Sequence, residues 1–138
     1  MRLPEQQDVA NAASSKVQPG QGQDTAAIVA IYATFPSMEA AKVVARGLIE
    51  QQLAACVNLL PGVTAIYEWE GRVHEDCEVA AIIKTRAGLA EAAIAAVVAG
   101  HPYMNPAAIV IEVAGGSAAY LDWVRDMTQP GRPREPSA

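Results

Sequence analysis

What most constrains this chain is a pair of long extended runs that face each other across a tight turn. After Pro61-Gly62, the residues Val63, Ala65, Tyr67 and Trp69 alternate with Thr64, Ile66, Glu68 and Glu70. The return run places Val73, Glu75, Cys77, Val79, Ala81 and Ile83 on one face, and His74, Asp76, Glu78, Ala80, Ile82 and Lys84 on the other. Glu70-Gly71-Arg72 supplies the turn, so the two runs form a β-hairpin. The outgoing arm starts at Cys56, and Pro61-Gly62 predicts a bulge within it, because proline donates nothing to a ladder. At about 3.3 Å per residue the arms outreach a domain of this size. Their distal ends must project or find a partner.

The segments around the hairpin complete a familiar alternation. Ile28-Val-Ala-Ile-Tyr-Ala33 reads as a strand buried on both faces. Ser37 is placed to cap a following helix, with Glu39 in its first turn and Ala41, Val44, Ala45 and Leu48 along one side. Leu89, Ala93, Ala96 and Val97 mark a second helix, with Gly100 as a left-handed cap before His101-Pro102. Ala108 to Val113 is another buried strand, and Ser117 caps a last helix bearing Tyr120, Val124 and Met127. Two strand-helix-strand crossovers joined by a hairpin specify an α+β fold. This is the ferredoxin-like βαββαβ plait, with a long hairpin and an extra C-terminal helix.

Composition bounds the rest. Residues 1–26 are rich in Gln, Ser, Gly and Asp and bury too little to offset ordering entropy, so a disordered tail is expected there. Residues 27–128 form the one compact domain, and 129–138, interrupted by Pro and Gly, a flexible C-terminal tail. The net charge of −5 falls within residues 28–128, because the flanking segments carry four basic and four acidic side chains. An acidic domain lacks the Lys/Arg stripe that neutralises phosphates, so neither nucleic acid nor an anionic membrane is an expected partner. Cations are the natural counter-species. The apolar stretch Ala92–Ala99 is far shorter than the roughly 20 residues of a membrane span. Two cysteines and no apolar leader point to a cytoplasmic setting.

Cys56 and Cys77 form no CxxC pair, and each reads as a buried structural thiol. His74 and Cys77 are an odd number of residues apart, which on a strand sends them to opposite faces. His74, Asp76 and Glu78 do share a face, and with Glu68 or Glu70 across the hairpin they supply oxygen and imidazole ligands for a weakly held cation. The plainer alternative is a solvated charged face. His101, fixed between Gly100 and Pro102, reads as either a structural residue or a metal ligand. No nucleophile elbow, phosphate loop or HExxH helix is present, so no catalytic residue is assigned and an enzyme is not expected.

The runs LIEQQLAACVNLLPGVTAIYEWEGRV, EVAAIIKT, GHPYMNPAAIV and AAYLDWV resemble, in order and spacing, the motifs of the CutA divalent-cation tolerance family over about Ile28 to Met127. The resemblance implies a homotrimer in which long hairpins extend the sheets of neighbouring subunits. It also implies tolerance to copper or similar divalent cations, with no cofactor required and no established catalytic reaction. The family's copper site is associated with a first-strand cysteine and a His-His pair. Here Ala33 and Gly100 stand at those positions, leaving His101. Trp69, Lys84, Tyr103, Glu68 and Cys56 are similar to positions near intersubunit clefts. Related PII-like trimers hold small molecules in such clefts, which gives a second expectation for this chain.

Overall fold

A computed structural model describes residues 26–133. The expected N-terminal tail, apart from Ala26, lies outside the described residues. The elements are β1 (Ile28–Phe35), α1 (Met38–Glu50), β2 (Cys56–Trp69), β3 (Arg72–Arg86), a 3-10 turn (Ala87–Leu89), α2 (Ala90–Gly100), β4 (Ala108–Glu112) and α3 (Ala118–Met127). The four strands form one antiparallel sheet in the spatial order β2-β3-β1-β4. That order, with α1 and α2 as crossovers, is the expected plait.

Ser37 turns the chain from β1 into α1. Its backbone is extended and its hydroxyl accepts the Ala40 N–H at 3.1 Å, which satisfies one of the donors a helix start leaves open. α1 then buries Ala41, Val44 and Leu48, while α2 buries Ala90, Ala93, Ile94 and Val97. Both helices cover the face of the sheet that carries Ile31, Ala33, Phe35, Val79, Ala81 and Ile83, and this layer is the main core. Each large side chain there contributes about 1.5–3 kcal/mol by leaving water.

Gly100 plays a different part from the expected left-handed cap. It is the last residue of α2, and the cap position belongs to His101, with φ −89°. A Cβ on Gly100 would stand 3.1 Å from Cγ2 of Val44, so the missing side chain lets the end of α2 approach α1. Ser117 occupies the N-cap position of α3, but its side chain makes no capping hydrogen bond. α3 is held at its other end. Arg86 donates from Nε to Oγ1 of Thr128 at 3.0 Å and from Nη2 to the Thr128 carbonyl at 2.6 Å, placing a cation at the negative end of the helix. Residues 129–133 turn back towards α1, where Gln52 donates to the Arg132 carbonyl at 3.0 Å.

The hairpin is the long element of the fold. β2 has 14 residues and β3 has 15, whereas β1 stops at the pair Phe35–Val79. From Arg72 to Glu78, β3 therefore pairs only with β2 in the sheet. The turn is the two-residue loop Glu70-Gly71, with φ 52° and 76°, values that suit a primed hairpin turn. The register slips between the Leu60–Ala80 and Val63–Glu78 pairs, so Pro61 and Gly62 together face one residue of β3. Gly62 takes φ 81°, which its lack of a Cβ permits. This bulge flips the later half of β2: Cys56, Asn58 and Leu60 before it share a face with Val63, Ala65, Tyr67 and Trp69 after it.

Candidate functional site

The face of the sheet away from α1 and α2 is apolar and open. Ile109 is 56% exposed, Ile111 48% and Leu60 42%, and the half-buried Tyr32 and Ile82 lie between them by register. This is a continuous apolar surface rather than scattered side chains, the pattern that marks an association face.

The second feature follows from the mismatch in strand lengths. Where β1 ends, the segment after α2 brings Tyr103 near Asp76 and Cys77, in the part of β3 that β1 no longer pairs. His101 anchors that segment. Its Nε2 lies 2.7 Å from the Thr34 carbonyl oxygen, and its Nδ1 accepts the Tyr103 N–H at 3.1 Å. A carbonyl only accepts and an amide N–H only donates, so these two partners fix the neutral ring with its proton on Nε2. The imidazole also stacks on Phe35 at 4.6 Å between centroids. Burial pushes its pKa below the ordinary histidine value, against the opposing pull of the Thr34 carbonyl.

Anchored in this way, Tyr103 reaches a cleft of about 460 Å³ that it lines together with Tyr67, Trp69, Asp76 and Cys77. Tyr67 and Trp69 project from β2 and Asp76 from β3, on one face of the hairpin because the turn sets Trp69 opposite Arg72 and Tyr67 opposite His74. Tyr67 donates from its hydroxyl to Oδ2 of Asp76 at 2.6 Å. This carboxylate holds the phenolic proton, and the Tyr67 pKa is pushed up to about 12. His74 stacks on the same ring from the other side of the pair, 5.5 Å between centroids.

The structure sorts the residues expected from sequence. Trp69 and Tyr103 come together in the cleft. Lys84 and Cys56 pair with each other near the opposite end of the hairpin, where Lys84 hydrogen-bonds to the Asn58 side chain. Glu68 pairs with Val73 and lies on the face opposite Tyr67 and Trp69, so the expected reach of Glu68 across to His74, Asp76 and Glu78 is not made. The two-residue turn is the cause, because it sets Glu68 opposite Val73.

His74, Asp76 and Glu78 share a face but do not converge. Two residues along a strand advance about 6.6–6.8 Å, and each side chain is differently engaged. His74 stacks on Tyr67, Asp76 accepts its hydroxyl, and Glu78 is buried at 2% exposure. Among the described residues no group of three His, Cys, Asp or Glu side chains is gathered to hold a metal ion. His101 has both ring nitrogens committed within the chain, so ligation there requires one of those bonds to break. The cysteines also differ from expectation: Cys77 is exposed, in the part of the hairpin that outruns β1, and Cys56 is half-buried, on the face of the sheet away from α1 and α2.

Tyr67 and Asp76 were not joined by the sequence reading, although the turn contains the signal. A two-residue loop at Glu70-Gly71 sets Trp69 opposite Arg72 and Tyr67 opposite His74, which makes Asp76 a diagonal neighbour of Tyr67.

Plait, projecting hairpin and aromatic cleft together define a small ferredoxin-like domain with an added C-terminal helix. Residues 29–127 match the family described as CutA1 divalent ion tolerance protein, and the chain belongs to that family. It is 40% identical over 116 residues to the chloroplastic protein CutA of Arabidopsis thaliana, covering 84% of this chain and 64% of that one. It is 43% identical over 95 residues to the divalent-cation tolerance protein CutA of Thermus thermophilus, covering 69% and 92% of the respective chains. The crystal structure of CutA1 from Oryza sativa superposes with a TM-score of 0.74 at 40% identity, over 78% of this chain and 98% of that one. The chain thus spans slightly less than two thirds of the Arabidopsis relative's length.

Proposed function

We propose that this chain is a homotrimeric divalent-cation tolerance protein that binds copper or similar ions weakly, and that it acts by binding and assembly rather than by catalysis. The observation that carries the reading is the open sheet face of Tyr32, Ile82, Leu60, Ile109 and Ile111, continuous with a hairpin that outruns β1. Apolar area of this kind stays in water at a cost, and a two-stranded ribbon is marginal alone. Sister copies relieve both, because they cover the face and pair the free edge of β2. The threefold count comes from the resemblance to the family.

Among the described residues, one chain gathers no three His, Cys, Asp or Glu side chains for a metal centre. Ion binding in this proposal is therefore weak and uses side chains that separate copies bring together. The acidic hairpin supports that reading, since Glu68, Glu70, Glu75, Asp76 and Glu78 stand against Arg72 in the same stretch. A cytoplasmic setting belongs to the proposal, and among the described residues no helix is long and apolar enough to cross a membrane. Calorimetric titration of the purified assembly with Cu²⁺ and Zn²⁺ tests it. Saturable heat at micromolar to millimolar ion supports the reading, and no heat up to several millimolar contradicts it.

A second reading, a PII-like protein holding a small molecule, is favoured by one observation: Trp69 and Tyr103 line a common cleft.

A further inference from the structure

We propose that the cleft between the hairpin and the segment after α2 is a site for a small organic ammonium ion, held against Tyr67, Trp69 and Tyr103 and paired with the carboxylate of Asp76. The inference rests on the reading of that cleft as a small-molecule site and assigns the ligand its chemical class.

The lining decides the sign of the ligand. Three of the five lining side chains are aromatic, one is a carboxylate and the last is the Cys77 thiol. None is basic. An anion or a phosphate ester would meet aromatic side chains and an acidic group, with no guanidinium or ammonium among the lining residues to answer it. Lys84, the cation that would answer it, lies towards the other end of the hairpin, opposite Cys56 and bonded to Asn58. Arg72 stands across from Trp69 but outside the lining, as does His74. A cation is favoured by every charged or quadrupolar group in the wall, and the remaining hairpin carboxylates raise its local concentration.

The form of the cation follows from the donor set. One carboxylate oxygen, Oδ2 of Asp76, already accepts the Tyr67 hydroxyl at 2.6 Å. A hard metal ion needs six or more oxygens, and the wall that one chain supplies does not offer them. Aromatic rings with one carboxylate are instead the surroundings that accept alkylammonium groups, where apolar substituents contact the rings and the charge faces their π-systems. A volume of about 460 Å³ accommodates a ligand of this size.

The test uses the full chain in its native assembly, at constant ionic strength. Tetramethylammonium and 1,4-diaminobutane are titrated by calorimetry and by tryptophan fluorescence, alongside neopentyl alcohol as a neutral match in shape and ATP as an anion. The expected result is saturable binding of an ammonium, with neopentyl alcohol weaker by about tenfold or more. Asp76→Asn and Trp69→Leu should each lower ammonium affinity by about tenfold while the light-scattering mass stays that of the parent. Equal binding of neopentyl alcohol, or unchanged affinity in both variants at parental mass, overturns the proposal. Binding of ATP without either ammonium overturns the ligand class but keeps the cleft as a small-molecule site, whereas no binding of any probe removes both.

Discussion

The imidazole of His101 joins two parts of the fold: Nε2 meets the Thr34 carbonyl at 2.7 Å, at the end of β1, while Nδ1 takes the Tyr103 N–H at 3.1 Å. The ring is 8% exposed. Protonation would put a second N–H on Nδ1, pointing at the Tyr103 N–H, so the neutral ring is the one the fold accepts.

The sign of the pH dependence follows. Burial lowers the folded-state pKa of His101 relative to the unfolded chain. At pH values between the two, the unfolded chain binds more protons, and stability rises with pH. The contribution is complete above the unfolded value of about 6.5 and is lost as pH falls through the lower folded value. Urea midpoints measured at fixed protein concentration should therefore decline below about pH 6.5. His101→Phe keeps a ring against Phe35 but removes the acceptor for Tyr103. It should cost about 1–3 kcal/mol near pH 8 and flatten the decline below it. A variant with the parental slope would remove His101 from the account.

Tyr67 should ionise late in a spectroscopic titration. Its hydroxyl is held by Asp76 and its pKa is raised to about 12. Ultraviolet difference titration should show one phenol ionising late, and Asp76→Asn should return it towards the ordinary value of about 10. A titration indifferent to Asp76→Asn would contradict the hydrogen bond.

Gly100 is required by the approach of α2 to α1. Alanine ordinarily gains about 0.5–1 kcal/mol over glycine within a helix, but only in part at its last residue. Here the new methyl lies 3.1 Å from Cγ2 of Val44, and overpacking costs about 1–3 kcal/mol. Gly100→Ala should therefore destabilise by about 1 kcal/mol. The same change in a Val44→Ala background should be neutral or stabilising, and chemical denaturation of the four proteins of that cycle measures the coupling.

The turn offers an opposite change. Glu70 holds φ 52° ahead of Gly71 at 76°, a conformation that asparagine adopts more readily than glutamate. Glu70→Asn should raise stability by a few tenths of a kcal/mol, whereas Gly71→Val should lower it by about 1–2 kcal/mol. Thermal unfolding midpoints check both.

Much of the fold was legible because local signals agreed with one another. The Ser37 cap, the Glu70-Gly71 turn and the Pro61-Gly62 interruption each act within a few residues, and each is found as expected. Gly100 was misread because its reason lies in Val44 on another helix, a contact that local sequence does not encode. Ser117 has the chemistry of a cap without the hydrogen bond. For the site, Trp69 and Tyr103 were named but Tyr67 was not. The register counted back from the Glu70-Gly71 turn decides which side chains share a face, and it shows that Tyr67, rather than Glu68, meets Asp76.

Assembly is the claim on which the remaining reading depends, since Ile109, Ile111 and Leu60 are left in water by a lone chain. Light scattering of the purified protein at micromolar concentration measures it directly. The account predicts a mass three times the 14.5 kDa of one chain, falling when Ile109→Asp and Ile82→Asp place charge on the open face. A stable, well-folded species of 14.5 kDa would contradict it.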